Sequence, residues 1–188
     1  MTNPPLAVYS WGADTTAANA HKLPDSLPVI WPYVTGTPGV QWTADQIRDF
    51  PRSQVIRVNQ GYENDDPFHG DEFDIETGAW NTANIIEVVA ARRAHQWSTR
   101  LYGTYDTYAS VIAALAAQGL RRSVFWRIAD WDLTAHLADA ELWGDVYAGQ
   151  WASPASNPRT PLPGTVLTLA EAGADLNVII RESTAWEG

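Results

Sequence analysis

The sequence has no cysteine and a single methionine. Without thiols there is no disulfide framework, no cysteine nucleophile and no thiolate metal site. Basic residues are scarce: 12 Lys and Arg stand against 22 Asp and Glu, a net charge of −10. A protein that tracks nucleic-acid phosphates carries a basic face, and this balance excludes one. It also opposes electrostatic adhesion to an anionic membrane. No run is long and apolar enough to span a bilayer. Residues 1–6 have neither the basic region nor the apolar stretch of a signal peptide, so no such leader is expected. The four histidines, His21, His69, His95 and His136, are scattered without ligand spacing. No metal and no cofactor is therefore expected, and nucleic acid and membrane are set aside as partners.

What the chain does have is acid in one place. Residues 71–76, Asp-Glu-Phe-Asp-Ile-Glu, pack four carboxylates into six positions. Read as a strand, side chains alternate, so Glu72, Asp74 and Glu76 share one face and Phe73 and Ile75 the other. A row of acids is costly to bury unless it is solvated, paired or used. Two residues along a strand span roughly 6–7 Å. That separation lets Asp74 and Glu76 act on one glycosidic bond. The bland alternative is a solvent-facing acidic strand. Ten tryptophans are many for 188 residues. Their flat faces suit sugar rings when exposed, and otherwise fill a core.

Strand patterns run over residues 6–12, 28–34, 54–61, 71–76, 99–105, 123–131, 145–151 and 175–180. Thr43 and Gln46 have capping-box spacing for a short helix stopped near Pro51. Asn81 or Thr82 opens a helix reaching residues 95–97, and Thr107 another that stops at Gly119. A weak helix covers 133–142. Alternation of strands and helices in the second half implies parallel strands with crossover helices. Eight strands then suggest an α/β fold, a single (β/α)8 TIM-like barrel over residues 1–188. At this length some outer helices are missing, since such barrels usually need about 200 residues or more. A flat doubly wound sheet is the alternative, but no Gly-rich phosphate loop follows the first strand.

In a (β/α)8 barrel, active sites lie at the C-terminal strand ends. Glu76 then ends strand four, Asp14 follows strand one and Asp175 opens the last strand or the loop before it. Asp130 ends strand six. Asp106 and Asp132 each precede a helix and read as caps. Arg57 and Asn59 on strand three are expected to point at the strand-four acids and offset their charge. Crowded carboxylates push at least one pKa upward, as a general acid needs.

Several segments, in order, resemble the family 25 glycoside hydrolases, the Chalaropsis-type lysozymes or muramidases, in a shortened actinobacterial and actinophage form. Asp74-Ile75-Glu76 matches that family's Asp-x-Glu on strand four. Residues 100–105, with Tyr102, are similar to its Ile-Tyr-Thr strand. Residues 126–131, with Trp131, look like its Trp-x-Ala-x-aromatic strand with one residue added. Gln150 and Trp151 are similar to its Trp-Gln-Tyr segment in altered order. Asp175-Leu176-Asn177 matches its Asp-Leu-Asn. The likeness covers roughly residues 6 to 181.

The resemblance implies cleavage of the β-1,4 bond after N-acetylmuramic acid in peptidoglycan. Glu76 would be the general acid/base, Asp74 the group that orients substrate or stabilises developing positive charge, and Asp175 a support. The family's strand-one Asp, in a Gly-x-Asp-x-Ser context, has no match. Val8 falls in its slot, and Asp14 is a displaced substitute. Trp80, Tyr102, Trp131, Gln150 and Trp151 are the expected substrate-binding residues. Trp80 and Trp151 lie just past strand ends and are read as sugar platforms. Two functions follow from the sequence. One is a peptidoglycan hydrolase with cell-wall glycan as partner, phage-associated, sited in the virion or in host cytoplasm before release. The other is a barrel without the chemistry, a glycan-binding or structural tail or capsid protein with virion partners.

Overall fold

Alternating apolar and polar residues organise the described residues into nine strands. These are β1 (Ser10–Thr15), β2 (Val29–Pro32), β3 (Gln54–Val55), β4 (Val58–Asn59), β5 (Glu72–Asp74), β6 (Thr99–Thr104), β7 (Val124–Ala129), β8 (Val146–Ala152) and β9 (Ala174–Ile179). Among the described residues four α-helices join them: α1 (Ala44–Arg48), α2 (Thr82–Ala94), α3 (Tyr105–Ala117) and α4 (Leu169–Ala172). The structure is a computed structural model describing residues 10–36, 39–61, 66–76, 80–129 and 146–179. The expected helix over 133–142, Val8, Trp131, Asp130 and Asp132 lie outside the described residues.

The strands form one mixed sheet in the order β3-β2-β1-β9-β8-β7-β6-β5-β4. The two end strands, β3 and β4, are consecutive in the chain and separated by Ile56 and Arg57. The sheet curls until Val34 N–H donates to Val58 C=O at 2.8 Å and Ile56 N–H to Ile30 C=O at 3.0 Å. The single strand expected over 54–61 is thus broken in two. At the break, Arg57 C=O accepts the amides of Asp71 and Glu72.

This architecture corrects the expected (β/α)8 barrel with alternating helices. Strand β9 runs antiparallel to both its neighbours, β8 and β1. The physical reason lies in residues 153–168. Pro154, Pro158, Pro161 and Pro163 remove amide donors, so this segment folds as turns and returns β9 from the end where β8 finished. The β1–β2 link holds only a 3-10 helix, Ala17–Lys22, and the β2–β3 link only the five-residue α1. Full crossover helices, α2 and α3, cover the β5–β6 and β6–β7 links.

Local signals set the helix ends. Thr43 and Gln46 form the expected capping box on α1. Asn81 caps α2 by accepting Asn84 N–H at 3.0 Å. Thr104, not Thr107, caps α3, because the last residue of β6 already has the extended backbone a cap requires. Helix α2 ends on Gln96 at φ 61°, and Trp97 N–H returns to Arg92 C=O at 2.9 Å. This is a Schellman stop in which Trp97 packs on Arg92, its guanidinium 5.3 Å from the ring centre. Helix α3 ends likewise at Gly119, with Leu120 over Leu115.

Two apolar clusters pack on the outside of the curl. Phe73, Ile75, Leu101, Trp126 and Ile128 meet α2 and α3 through Ile85, Val89, Val111 and Leu115. Ala13, Ala174 and Leu176 meet the short elements through Leu23, Leu27, Trp42 and Leu169. A third cluster, including Val29, Trp31, Ile56, Val58, Tyr147 and Ile179, joins strands from across the sheet order. Asp14, Glu72, Asp74, Tyr102, Arg127, Gln150 and Asn177 supply buried polar groups on the inner face.

Candidate functional site

Register defines which side chains share the inner face. Glu72 is paired with Arg100 and Asp74 with Tyr102. Tyr102 is paired with Arg127, and Asp14 with Asp175. Paired residues point to the same side of a sheet. Phe73, Leu101, Trp126 and Leu176, one residue out of phase, go to the outer clusters. The alternation read for residues 72–76 therefore holds.

At the centre sits Arg127, fully buried. Its Nε and Nη2 donate to Glu72 Oε1 at 2.9 and 2.7 Å. Its Nη1 donates to Asp14 Oδ2 at 3.2 Å and to Asn177 Oδ1 at 2.9 Å. Tyr147 O–H closes the second Glu72 oxygen and accepts Trp31 Nε1–H at 3.2 Å. Asp14, only 1% exposed, also accepts Asn177 Nδ2 at 2.7 Å, Gln150 Nε2 at 3.2 Å and Tyr33 O–H at 3.3 Å. Buried charges need such saturation, since an unpaired one costs several kcal/mol. Burial works against the charge of Arg127, but Glu72 and Asp14 outweigh it and hold the guanidinium well above its usual range.

Above this layer lie Asp74, Glu76 and Asp175. Asp74 Oδ2 accepts Gln60 Nε2 at 3.1 Å, and Oδ1 accepts the Glu76 amide at 2.9 Å. Burial raises its pKa despite these bonds. Glu76 is half-buried just past β5. Burial, then the charge of Asp74, raises its pKa, with Tyr102 and Arg127 opposing. Its Oε1 is buried without a hydrogen-bond partner. Asp175 is half-buried and pushed up to about 8, by burial first and then by Asp14, with Arg127 opposing and Glu76 adding. Two partly exposed carboxyls with raised pKa, beside buried acids that are fully bonded, are suited to giving and taking protons, Asp175 with its pKa at about 8.

The structure brings together all four sequence-derived acids: Asp74 and Asp14 raise the pKa of Glu76, and Asp14 and Glu76 raise that of Asp175. Asp14 lies within β1 rather than after it, bonded away from solvent as part of the frame. Tyr102 and Gln150 join the site as a pair, O–H to Oε1 at 2.6 Å. Trp80 and Trp151 do not. Trp80 is 3% exposed and packs edge-on against Phe73 at 5.3 Å. Trp151, out of phase with Gln150, packs half-buried on the outer cluster with Ala152 and Leu176. Arg57 reaches one acid of the 71–76 stretch, Asp71, on the outside, Nε to Oδ2 at 3.0 Å, and not Glu72, Asp74 or Glu76 on the inner face. Asn59 is buried and accepts Thr35 Oγ1–H at 2.9 Å. Asp106 is not the expected cap: it sits inside α3, in the first turn, and Thr104 caps the helix.

Sequence reasoning missed Arg127, Tyr147, Tyr33, Gln60 and Asn177. One signal was present. An arginine inside the apolar run 124–129 is a buried cation needing acids, because arginine is rarely buried unpaired. Among the described residues, no group of three or more His, Asp or Glu is placed to hold a metal ion. The chain matches no family model, no curated protein and no solved structure.

Proposed function

We propose that the protein is a carboxylate-dependent glycoside hydrolase, lysozyme-like, acting on the β-1,4 bonds of cell-wall glycan. The observation that carries this reading is Glu76: half-exposed, raised by burial and by Asp74, with Oε1 left unpartnered. A carboxyl whose hold on its proton is strengthened in this way is suited to donate that proton to a leaving sugar oxygen. Asp74 lies beside it, held by Gln60 and the Glu76 amide, and stabilises positive charge developing at the sugar ring. Asp175, neutral at pH 7 with its pKa near 8, donates a hydrogen bond to a sugar hydroxyl. The test is release of reducing ends from purified peptidoglycan by the native protein and by Glu76→Gln. Loss in the variant, with its circular dichroism unchanged, supports the assignment.

A glycan-binding or structural virion module is the second reading. Its support is that Gln150, Tyr102 and Tyr33 turn their polar groups into the acid network rather than away from it. Glycan binding without reducing-end release by the native protein would favour it.

A further inference from the structure

We propose that Arg127 is the positioning residue of this site, a buried cation that locks Asp14 and Glu72 in one orientation beside the partly exposed carboxyls Glu76 and Asp175. The position is chemically unusual. The run 124–129 reads Val-Phe-Trp-Arg-Ile-Ala, and every other side chain in it is apolar. A buried ion cluster is a poor device for stability alone, since well-packed apolar residues often do as well or better. Here one guanidinium serves two buried carboxylates, Asp14 and Glu72, so the cluster is not even neutral. Its geometry is that of a clamp. Glu72, closed on its far side by Tyr147, is the anchor. Tyr102 and Trp31 hold the guanidinium plane, with ring centres at 3.9 and 5.2 Å. The remaining nitrogen, Nη1, then fixes Asp14 together with Asn177.

Asp14 transmits that position in two directions. It is the cross-strand partner of Asp175. It also accepts Gln150 Nε2, whose amide oxygen accepts Tyr102 O–H. Arg127 acts directly too: its charge counters the raised pKa of Asp175, Glu76 and Asp74. The charged or titratable groups that feel its charge are Glu72 and Asp74 from β5 with Glu76 just past it, Asp14 from β1, Tyr33 just past β2, Asp175 from β9, Tyr102 from β6 and Tyr147 from β8. An arginine is suited to this place because its planar fork stays charged and bonds two directions at once.

The inference concerns the site of the proposed hydrolase and rests on that reading only for its effect on rate. Its test reads carboxyl protonation directly, by carbon-detected NMR titration of the full chain. Glu72→Gln removes the anchor's charge and serves as background. Adding Arg127→Met to it avoids a lone buried carboxylate at position 72. In the double variant the titration midpoints of Glu76 and Asp175 are expected to rise by about one unit over Glu72→Gln alone, a tenfold change in proton affinity. Midpoints unchanged in the folded double variant would overturn the proposal and leave Arg127 as packing.

Arg127→Lys is the second variant, and it decides the matter if the first does not fold. It keeps the charge and loses the fork. The two midpoints are expected to stay within about 0.3 unit. The Gln150 side-chain amide resonances, which report the placement of Asp14, are expected to move. Unmoved Gln150 resonances would equally overturn the proposal. Absence of reducing-end release by the native protein would count against the hydrolase reading and leave both titration results standing.

Discussion

Asp14 on β1 and Asp175 on β9 stand directly opposite each other in an antiparallel pair. Like charges in that arrangement repel across the ladder. The protein resolves the conflict by treating the two acids differently. Asp14 is surrounded by donors from Arg127, Asn177, Gln150 and Tyr33. Asp175 is left half-buried with its pKa near 8. A carboxyl that keeps its proton at neutral pH is the consequence.

Asp175 therefore sets a pH dependence of stability. Its folded pKa lies above the ordinary carboxyl value, so the folded form binds the proton more tightly than the unfolded chain does. Stability from this group falls as pH rises from about 4 to about 8 and is flat beyond. Asp175→Asn removes the penalty. Its melting temperature is expected to exceed the native value by a few degrees at pH 8, with little difference at pH 4, where both carry a neutral side chain. Thermal scans at the two pH values check this. An equal gain at both would show that Asp175 is not protonated in the fold.

Asp74 raises the pKa of Glu76, second only to burial. If Glu76 acts as the acid, activity is present below its pKa and lost as pH rises through it. Asp74→Asn lowers that pKa, so the alkaline fall of kcat/KM is expected to move to lower pH, apart from any loss of rate. The pH–rate profile separates the two effects. A fall at the native pH would remove Asp74 from this role.

Tyr147 links two buried groups, donating to Glu72 and accepting from Trp31. Tyr147→Phe keeps the ring and leaves Glu72 Oε2 and Trp31 Nε1–H without this partner. The expected cost is about 1–3 kcal/mol, measured by urea unfolding with an unchanged slope. A neutral result would mean that the network has slack around Glu72.

Trp151 packs against the outer cluster, not into the site. Trp151→Ala is expected to cost about 2–4 kcal/mol. That corresponds to a drop in melting temperature on the order of 5–15 °C. Glycan affinity per folded molecule is expected to be unchanged. Lost binding with native stability would return this residue to the role of a platform.

Gly12 lies beneath Trp31. A Cβ there would sit 2.2 Å from Val29 O and 2.7 Å from the Trp31 ring. Gly12→Ala is expected to destabilise by about 1–3 kcal/mol, since backbone and a fully buried indole must both shift. Chemical denaturation of the variant checks this. A stability within experimental error of the native protein would show that β1 and β2 can separate.

Much of the secondary structure was legible before any coordinates. The capping box at Thr43, the cap at Asn81 and the stop at Gly119 are local chemistry, settled within four or five residues. The outward phase of Phe73 and Ile75 followed from a period of two. The four site acids were readable because acids at strand ends in an apolar chain are hard to place otherwise. Less legible was the role of each acid. Asp14 and Asp175 look alike in sequence, and only the donors gathered around one of them set the two apart.

The sequence by itself determined the approximate place of most strands and helices, and which faces of residues 72–75 are apolar and which acidic. Those depend on steric preference, capping and alternation, which act over neighbouring residues. Only the tertiary structure decided that β9 runs antiparallel, that Arg57 stays outside on Asp71 and that Arg127 enters between Glu72 and Asp14. It also decided that Trp80 and Trp151 pack away from the site. These outcomes depend on which groups meet across as many as 163 residues of chain, the separation of Asn177 from Asp14. A buried ion pair is worth its desolvation only when both partners arrive together, and no local pattern records that meeting.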